Sequence, residues 1–187
     1  QNLPSRDKNK KALKNAVVAP DGCVVINCDS SQIEARVLAW LAGQDDVVKQ
    51  FRDGEDVYSV FATKIYGRPI SKANPIERFV GKTCVLGLGY GTGSLKLQHT
   101  LKTQPPGAIV SKDDAEKYVN TYRAENNKIK ALWDEGDKVI KDLSTWPKDK
   151  KRYYYGENDC VIVTPDGLQL PNGLMLRYPD LKLNTTE

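Results

Sequence analysis

Residues 75–91, following Asn74, read Pro-Ile-Glu-Arg-Phe-Val-Gly-Lys-Thr-Cys-Val-Leu-Gly-Leu-Gly-Tyr-Gly, and this stretch limits the possible fold most tightly. Pro75 suits a first helical position, where its missing N–H would be unbonded anyway. From there Arg78, Lys82, Leu86 and Tyr90 recur every four residues, a helical stripe that drifts by about 40° per step. Two cations come first, then an apolar residue, then an aromatic one. The helix dipole is already positive at that end, so cations there do not serve helix stability. A bound polyanion such as a triphosphate would account for them. On this stretch alone, an ordinary solvated basic face is the simpler account.

Around that helix the chain alternates turn signals with short periodic segments. Residues 1–19 are polar and basic until Ala16-Val17-Val18, and Pro20-Asp21-Gly22 is a turn. Cys23–Cys28 is a β-branched run that reads as a buried strand. Asp29 ends it, and Ser30 or Ser31 with Glu34 gives the pattern of a helix cap and capping box. Ile33, Val37, Leu38 and Leu41 then share one helical face, with Gly43 as the stop.

Helices are expected at 45–51 and 56–66, split by Asp53-Gly54 and closed by Gly67, and again at 94–101. Ser111 opens another helical region. Its apolar stripe through Tyr118, Tyr122, Ile129, Leu132 and Ile140 fits one long helix or two broken near Asn126-Asn127. Residues 146–156 mix basic and aromatic side chains and read as a solvated loop. The last segment holds three short β-like runs, 160–163, 168–170 and 174–177, separated by Pro-Asp-Gly and Pro-Asn-Gly turns.

Composition narrows the class. The chain has 187 residues, 40% hydrophobic and 28% charged, enough for a sizeable core in one domain or two small ones. No apolar run approaches the ~20 residues of a membrane span, and the amino terminus lacks a signal-peptide pattern. It opens on Gln1 rather than Met, which fits a fragment or a processed product. The four cysteines form no C-x-x-C pair and there is one histidine, His99, which argues against a zinc site and for free thiols. The formal charge of +4 resides in residues 1–14, where Arg6, Lys8, Lys10, Lys11 and Lys14 outweigh Asp7. A basic arm on a balanced body suits phosphate contact, although composition alone favours a solvated tail.

Asp29, at a strand end beside a helix start, offers a hard oxygen ligand, with the Ser30 carbonyl as a second. Alone, it reads more readily as a simple helix cap. Asp29-Ser-Ser-Gln-Ile-Glu-Ala-Arg36, about forty residues, and then Arg78-x3-Lys82-x3-Leu86-x3-Tyr90-Gly91 together resemble motifs A and B of the family A (polymerase I-like) DNA polymerases. Gln1–Arg6 resembles the segment upstream of motif A. Leu170-Pro-Asn-Gly-Leu174 resembles the approach to later palm strands in phage members.

The resemblance implies an α+β fold, a partial right-hand polymerase. Residues 1–43 would be a palm segment with motif A, 44–145 mostly helical fingers with motif B at 78–91, and 146–187 a return towards the palm sheet. It implies template-directed DNA synthesis with Mg²⁺ in a two-metal mechanism, and primer-template DNA and dNTPs as partners. Asp29 and the Ser30 carbonyl would bind metal. Gln32 would line the nucleotide pocket, and Glu34 would exclude a ribose 2′-OH. Arg78 and Lys82 would grip the triphosphate, Lys82 also protonating the leaving pyrophosphate. Leu86 would pack on the sugar and base, Tyr90 and Gly91 would meet the template, and Arg6 the primer terminus.

Two positions depart from the family pattern: Leu86 replaces an aromatic residue, and Tyr58 stands where many bacterial members have a phosphate-binding His. The His-Asp-Glu motif of the family, which carries the second metal-binding aspartate, is absent from these residues, as is a thumb. The chain alone is therefore expected to be inactive. A phage origin, and the cytoplasm of a bacterial host, are the expected setting. A single-subunit RNA polymerase shares the right-hand plan, although Glu34 as a gate favours DNA synthesis. A non-catalytic nucleic-acid-binding module would need only the basic arm.

Overall fold

Helices occupy most of the described residues, 16–26, 28–146 and 149–183 of a computed structural model. The chain divides into two units, residues 1–31 and 32–187. In the first, Gly22 takes φ 77° and the Cys23 N–H donates to the Pro20 carbonyl at 3.0 Å, closing the expected turn. The expected buried strand at 23–28 does not form. Its described residues lie outside any strand, and Val24 and Ile26 are exposed. A β-branched run becomes a strand only with a ladder partner, and the sheet among the described residues pairs its own four strands.

The second unit begins with α1, Ile33–Leu41. Its N-cap is Gln32 in left-handed backbone at φ 57°, so the expected cap at Ser30 or Ser31 is not realised. Glu34 then falls at the second helical position, one residue short of where a capping box needs it. The buried face also differs from expectation. Ala35, Ala39 and Ala42 are buried, while Ile33 and Val37 are exposed. Small side chains let α1 lie close to its neighbours, and the larger residues on the other face remain uncovered. Leu38 and Leu41 still pack, beside Ala42, Ile129 and Leu132. Gly43 follows the helix at φ 64°, as expected for a stop.

Next come α2 (Asp45–Arg52), α3 (Val57–Tyr66), α4 (Pro75–Gly89), α5 (Ser94–Thr103), α6 (Lys112–Glu125) and α7 (Asn127–Ser144). Pro75 takes the first position of α4, and Ser111 Oγ accepts the Asp114 N–H at 3.0 Å to cap α6. The helical region after Ser111 is two helices, broken at Asn126. There the buried Gln44 side chain accepts the Lys128 N–H at 3.1 Å and ties the α1–α2 turn to this junction. The main core joins α3 to α6 through Phe61, Val80, Cys84, Leu88, Leu101 and Tyr118. Burial pushes the Cys84 thiol up to about 12, so it packs as a small apolar residue.

Helices α3 and α4 pack in close contact at Gly81. A Cβ added at Gly81 would lie 2.2 Å from the Tyr58 carbonyl oxygen and 2.9 Å from Ala62 Cβ. Only glycine lets the first turns of α4 meet α3 at that distance, and Arg78 and Lys82 flank the contact.

The sheet is an antiparallel meander in order β1 (Tyr153–Tyr155), β2 (Val161–Thr164), β3 (Gly167–Gln169), β4 (Met175–Leu176). The last three strands match the expected β-like runs. β1 corrects the expectation of a loop at 146–156: Tyr153 pairs with Val163 and Tyr155 with Val161. Aromatic side chains favour strands, and alternate residues of β1 turn inward. Tyr155 donates to the Leu132 carbonyl at 3.2 Å, and the Glu157 N–H donates to the Leu41 carbonyl at 3.1 Å, which seats the sheet on α7 and α1.

Candidate functional site

The four residues of the α4 stripe run from half-buried Arg78, through exposed Lys82 and half-buried Leu86, to exposed Tyr90 at the helix end. Arg78 is tied down. Its Nε donates to Asp56 Oδ2 at 2.6 Å and its Nη2 to Oδ1 at 3.1 Å, a two-pronged pair across the α3–α4 contact. Ser59 Oγ donates to Asp56 Oδ2 at 2.7 Å. Burial alone would raise the Asp56 carboxyl, but the Arg78 and Ser59 hydrogen bonds outweigh it and hold the group below its ordinary value.

Beneath the two cations lies Tyr58, itself buried. The Arg78 guanidinium carbon is 5.5 Å from its ring centre and the Lys82 ammonium 6.0 Å. Burial pushes the Tyr58 phenol up, against lowering interactions with Gln32 and Arg78. Gln32 therefore reaches the same site from the start of α1. At the far end, burial and then the Glu34 carboxylate push the Tyr90 phenol up. An open groove of about 410 Å³ lies between α1 and α4, lined by Ile33, Glu34, Leu38, Leu86, Gly89 and Tyr90.

Six expected site residues of the second unit, Gln32, Glu34, Arg78, Lys82, Leu86 and Tyr90, thus gather along one side of α4. Gly91 follows at φ 71° in the turn beyond Tyr90. Asp29 and Ser30 are exposed in the first unit, and Arg6 lies outside the described residues. Among the described residues no three His, Cys, Asp or Glu side chains converge to hold a metal, so they build no complete metal site. Asp29 offers one hard oxygen ligand of the kind Mg²⁺ takes. Sequence reasoning missed Asp56, Ser59 and Gly81. A glycine amid a helix costs about 1 kcal/mol against alanine, so Gly81 itself was a signal of close packing.

The family model described as DNA polymerase family A matches residues 1–152. The thermostable DNA polymerase I of Thermus aquaticus is 29% identical over 131 residues, 70% of this chain and 15% of that one. A thermostable DNA polymerase I of Thermus thermophilus is 30% identical over 138 residues, 74% of this chain and 16% of that one. Among solved structures, the POL domain of Pol1 from M. smegmatis, in complex with DNA primer-template and dNTP, superposes with a TM-score of 0.58 at 27% identity, covering 78% of this chain and 25% of that one. The chain spans about a sixth of the length of the curated relatives it matches.

Proposed function

Because this chain belongs to DNA polymerase family A, we propose that it is the part of a template-directed DNA polymerase that receives the incoming dNTP and presents it to a primer 3′-OH. One observation carries the reading: Arg78 and Lys82 stand over one buried tyrosine at the start of α4, and Leu86 and Tyr90 continue the same side past Glu34. That arrangement supplies fixed positive charge for a triphosphate, an apolar surface for sugar and base, and an aromatic end for the template.

Residue by residue, Arg78 binds the outer phosphates and Lys82 donates a proton to the leaving pyrophosphate oxygen. Gln32 lines the pocket, and Glu34 crowds the position of a ribose 2′-OH. Tyr90 stacks at the templating position with Gly91 beside it, and Arg6 approaches the primer terminus. Asp29 and the Ser30 carbonyl are the ligands this chain contributes towards Mg²⁺. The chemistry such ions would supply, when bound, is a lowered pKa for the attacking hydroxyl and neutralised charge on the leaving oxygens. The partners are primer-template DNA and dNTPs, those held by the M. smegmatis neighbour.

The domain reading proposed is palm for 1–43, fingers for 44–145, and a return to the palm for 146–187. The phage-type assignment rests on Leu170–Leu174. No helix among the described residues is long and apolar enough to cross a membrane, and the cytoplasm of a bacterial host is the proposed setting.

Primer extension by the intact polymerase containing this chain tests the reading. Lys82→Ala is expected to lower kcat by about 10²–10⁴-fold with primer-template affinity retained. An unchanged rate would overturn the assignment of α4. The 187-residue chain alone, offering one metal-binding carboxylate, is expected to extend no primer. Leu86→Phe is expected to change the ratio of dideoxynucleotide to deoxynucleotide incorporation, measured by competition on one template.

A further inference from the structure

The carboxylate most closely engaged with the cations of this site belongs to neither motif. We propose that Asp56 is a positioning residue for Arg78, holding one edge of the guanidinium so that its other edge is already set for phosphate when a dNTP arrives; this rests on the function proposed above. Asp56 takes the Nε–H and an Nη2 N–H, and the remaining donors of the five-donor fork are left for an anion. The carboxylate is itself fixed by Ser59 Oγ at 2.7 Å, from the first turn of α3. Both side chains of the pair are largely screened from solvent, and Gly81 sets the helices between them at one distance.

Two physical effects oppose each other here, and they predict opposite signs. Asp56 cancels charge, so by simple electrostatics its removal leaves a more positive site and a tighter grip on triphosphate. Asp56 also removes the rotamer freedom of a long side chain before binding, so its loss should weaken the grip. The geometry favours the second effect. A two-pronged carboxylate pair over a ring fixes both the position and the plane of the guanidinium, whereas a competitor for the anion would occupy the donors the anion needs.

The test is steady-state extension by the intact polymerase carrying Asp56→Asn. The KM for dNTP is expected to rise about tenfold with kcat little changed. Inorganic tripolyphosphate should lose inhibitory potency by a similar factor. A KM that falls or stays constant overturns the proposal, as does an equal loss in kcat without a change in KM. In an Arg78→Ala background, Asp56→Asn should have no further effect on KM; an additive effect means that Asp56 acts other than through Arg78. If Asp56→Asn does not fold, Ser59→Ala serves, with a smaller KM rise expected and an unchanged KM contrary to the proposal. Failure of the unsubstituted polymerase to extend a primer would count against the proposed function instead, so the two failures are separable.

Discussion

Two aspartates in this molecule face the same chemistry and reach different ends. Asp56 meets Arg78 above the ring of Tyr58, and Asp142 meets Lys150 above the ring of Tyr153, with the ammonium 4.7 Å from the ring centre. Around Asp142 the groups engage one another. The carboxylate accepts from Lys150 Nζ and from the Tyr153 hydroxyl, each at 2.5 Å, and Trp146 stacks on Tyr153 at 6.3 Å while its indole N–H donates to the Lys150 carbonyl. That is a staple between the end of α7 and β1. Around Asp56 the guanidinium keeps donors in hand, and a second cation, Lys82, stands exposed beside it. A closed set of contacts stabilises; a set with donors to spare is available to bind.

Removing the cation from each pair should break the resemblance most visibly. In the intact polymerase, Arg78→Ala is expected to reduce kcat/KM for dNTP by about 10²-fold, the loss of the roughly two charge-assisted hydrogen bonds to phosphate proposed for it. Lys150→Ala should leave kcat/KM unchanged and lower unfolding stability by about 0.5–1 kcal/mol, as suits a partly exposed pair. Primer-extension kinetics and urea unfolding of both variants measure the contrast. Equal kinetic losses would erase the distinction between grip and staple.

Each region also has a helical glycine against a tyrosine, and here the expected effects are smaller. At Gly81 an added Cβ meets the Tyr58 backbone oxygen at 2.2 Å, which cannot yield without moving α3. Gly81→Ala should cost about 1–3 kcal/mol of overpacking, less about 1 kcal/mol of gained helix propensity. It should also raise the KM for dNTP, because Tyr58 and Asp56 shift with α3. At Gly136 the nearest atom is the Tyr155 hydroxyl at 3.0 Å, the tip of a side chain that can give. Gly136→Ala should therefore change stability by less than about 1 kcal/mol. Paired urea titrations check both.

What the sequence made legible follows from which signals are local. Helix order came from periodicity and turn residues, which act within a few positions, whereas one long helix and a break near Asn126 fitted that pattern alike. The α4 stripe was legible because spacing by four keeps Arg78, Lys82, Leu86 and Tyr90 together on any helix. The buried face of α1 was not, because apolar spacing identifies large side chains, whereas the packing selected Ala35, Ala39 and Ala42 for closeness. Asp56 was illegible for a different reason. Nothing in the local pattern of an Asp before a helix says that its carboxylate crosses to a residue 22 positions later. β1 was hidden by its basic neighbours, although three consecutive tyrosines carried β propensity.

Acid provides the finest comparison between the two pairs. Both carboxyls are held below the ordinary value of 3.8, Asp142 by its hydrogen bonds to Lys150 and Tyr153, Asp56 by Arg78 and Ser59 against an opposing burial effect. A carboxyl with a depressed folded pKa contributes its full stabilisation above the unfolded value and loses it as pH falls through the folded one. Stability should therefore be insensitive to these two groups from pH 7 to about 5 and decline below. Asp142→Asn and Asp56→Asn should each flatten that decline, seen as a smaller drop in the urea midpoint between about pH 4 and pH 2. At neutral pH only the Asp56 variant should alter the KM for dNTP. If the Asp142 variant alters it as well, the staple reaches the proposed nucleotide site and the two pairs are not functionally separate.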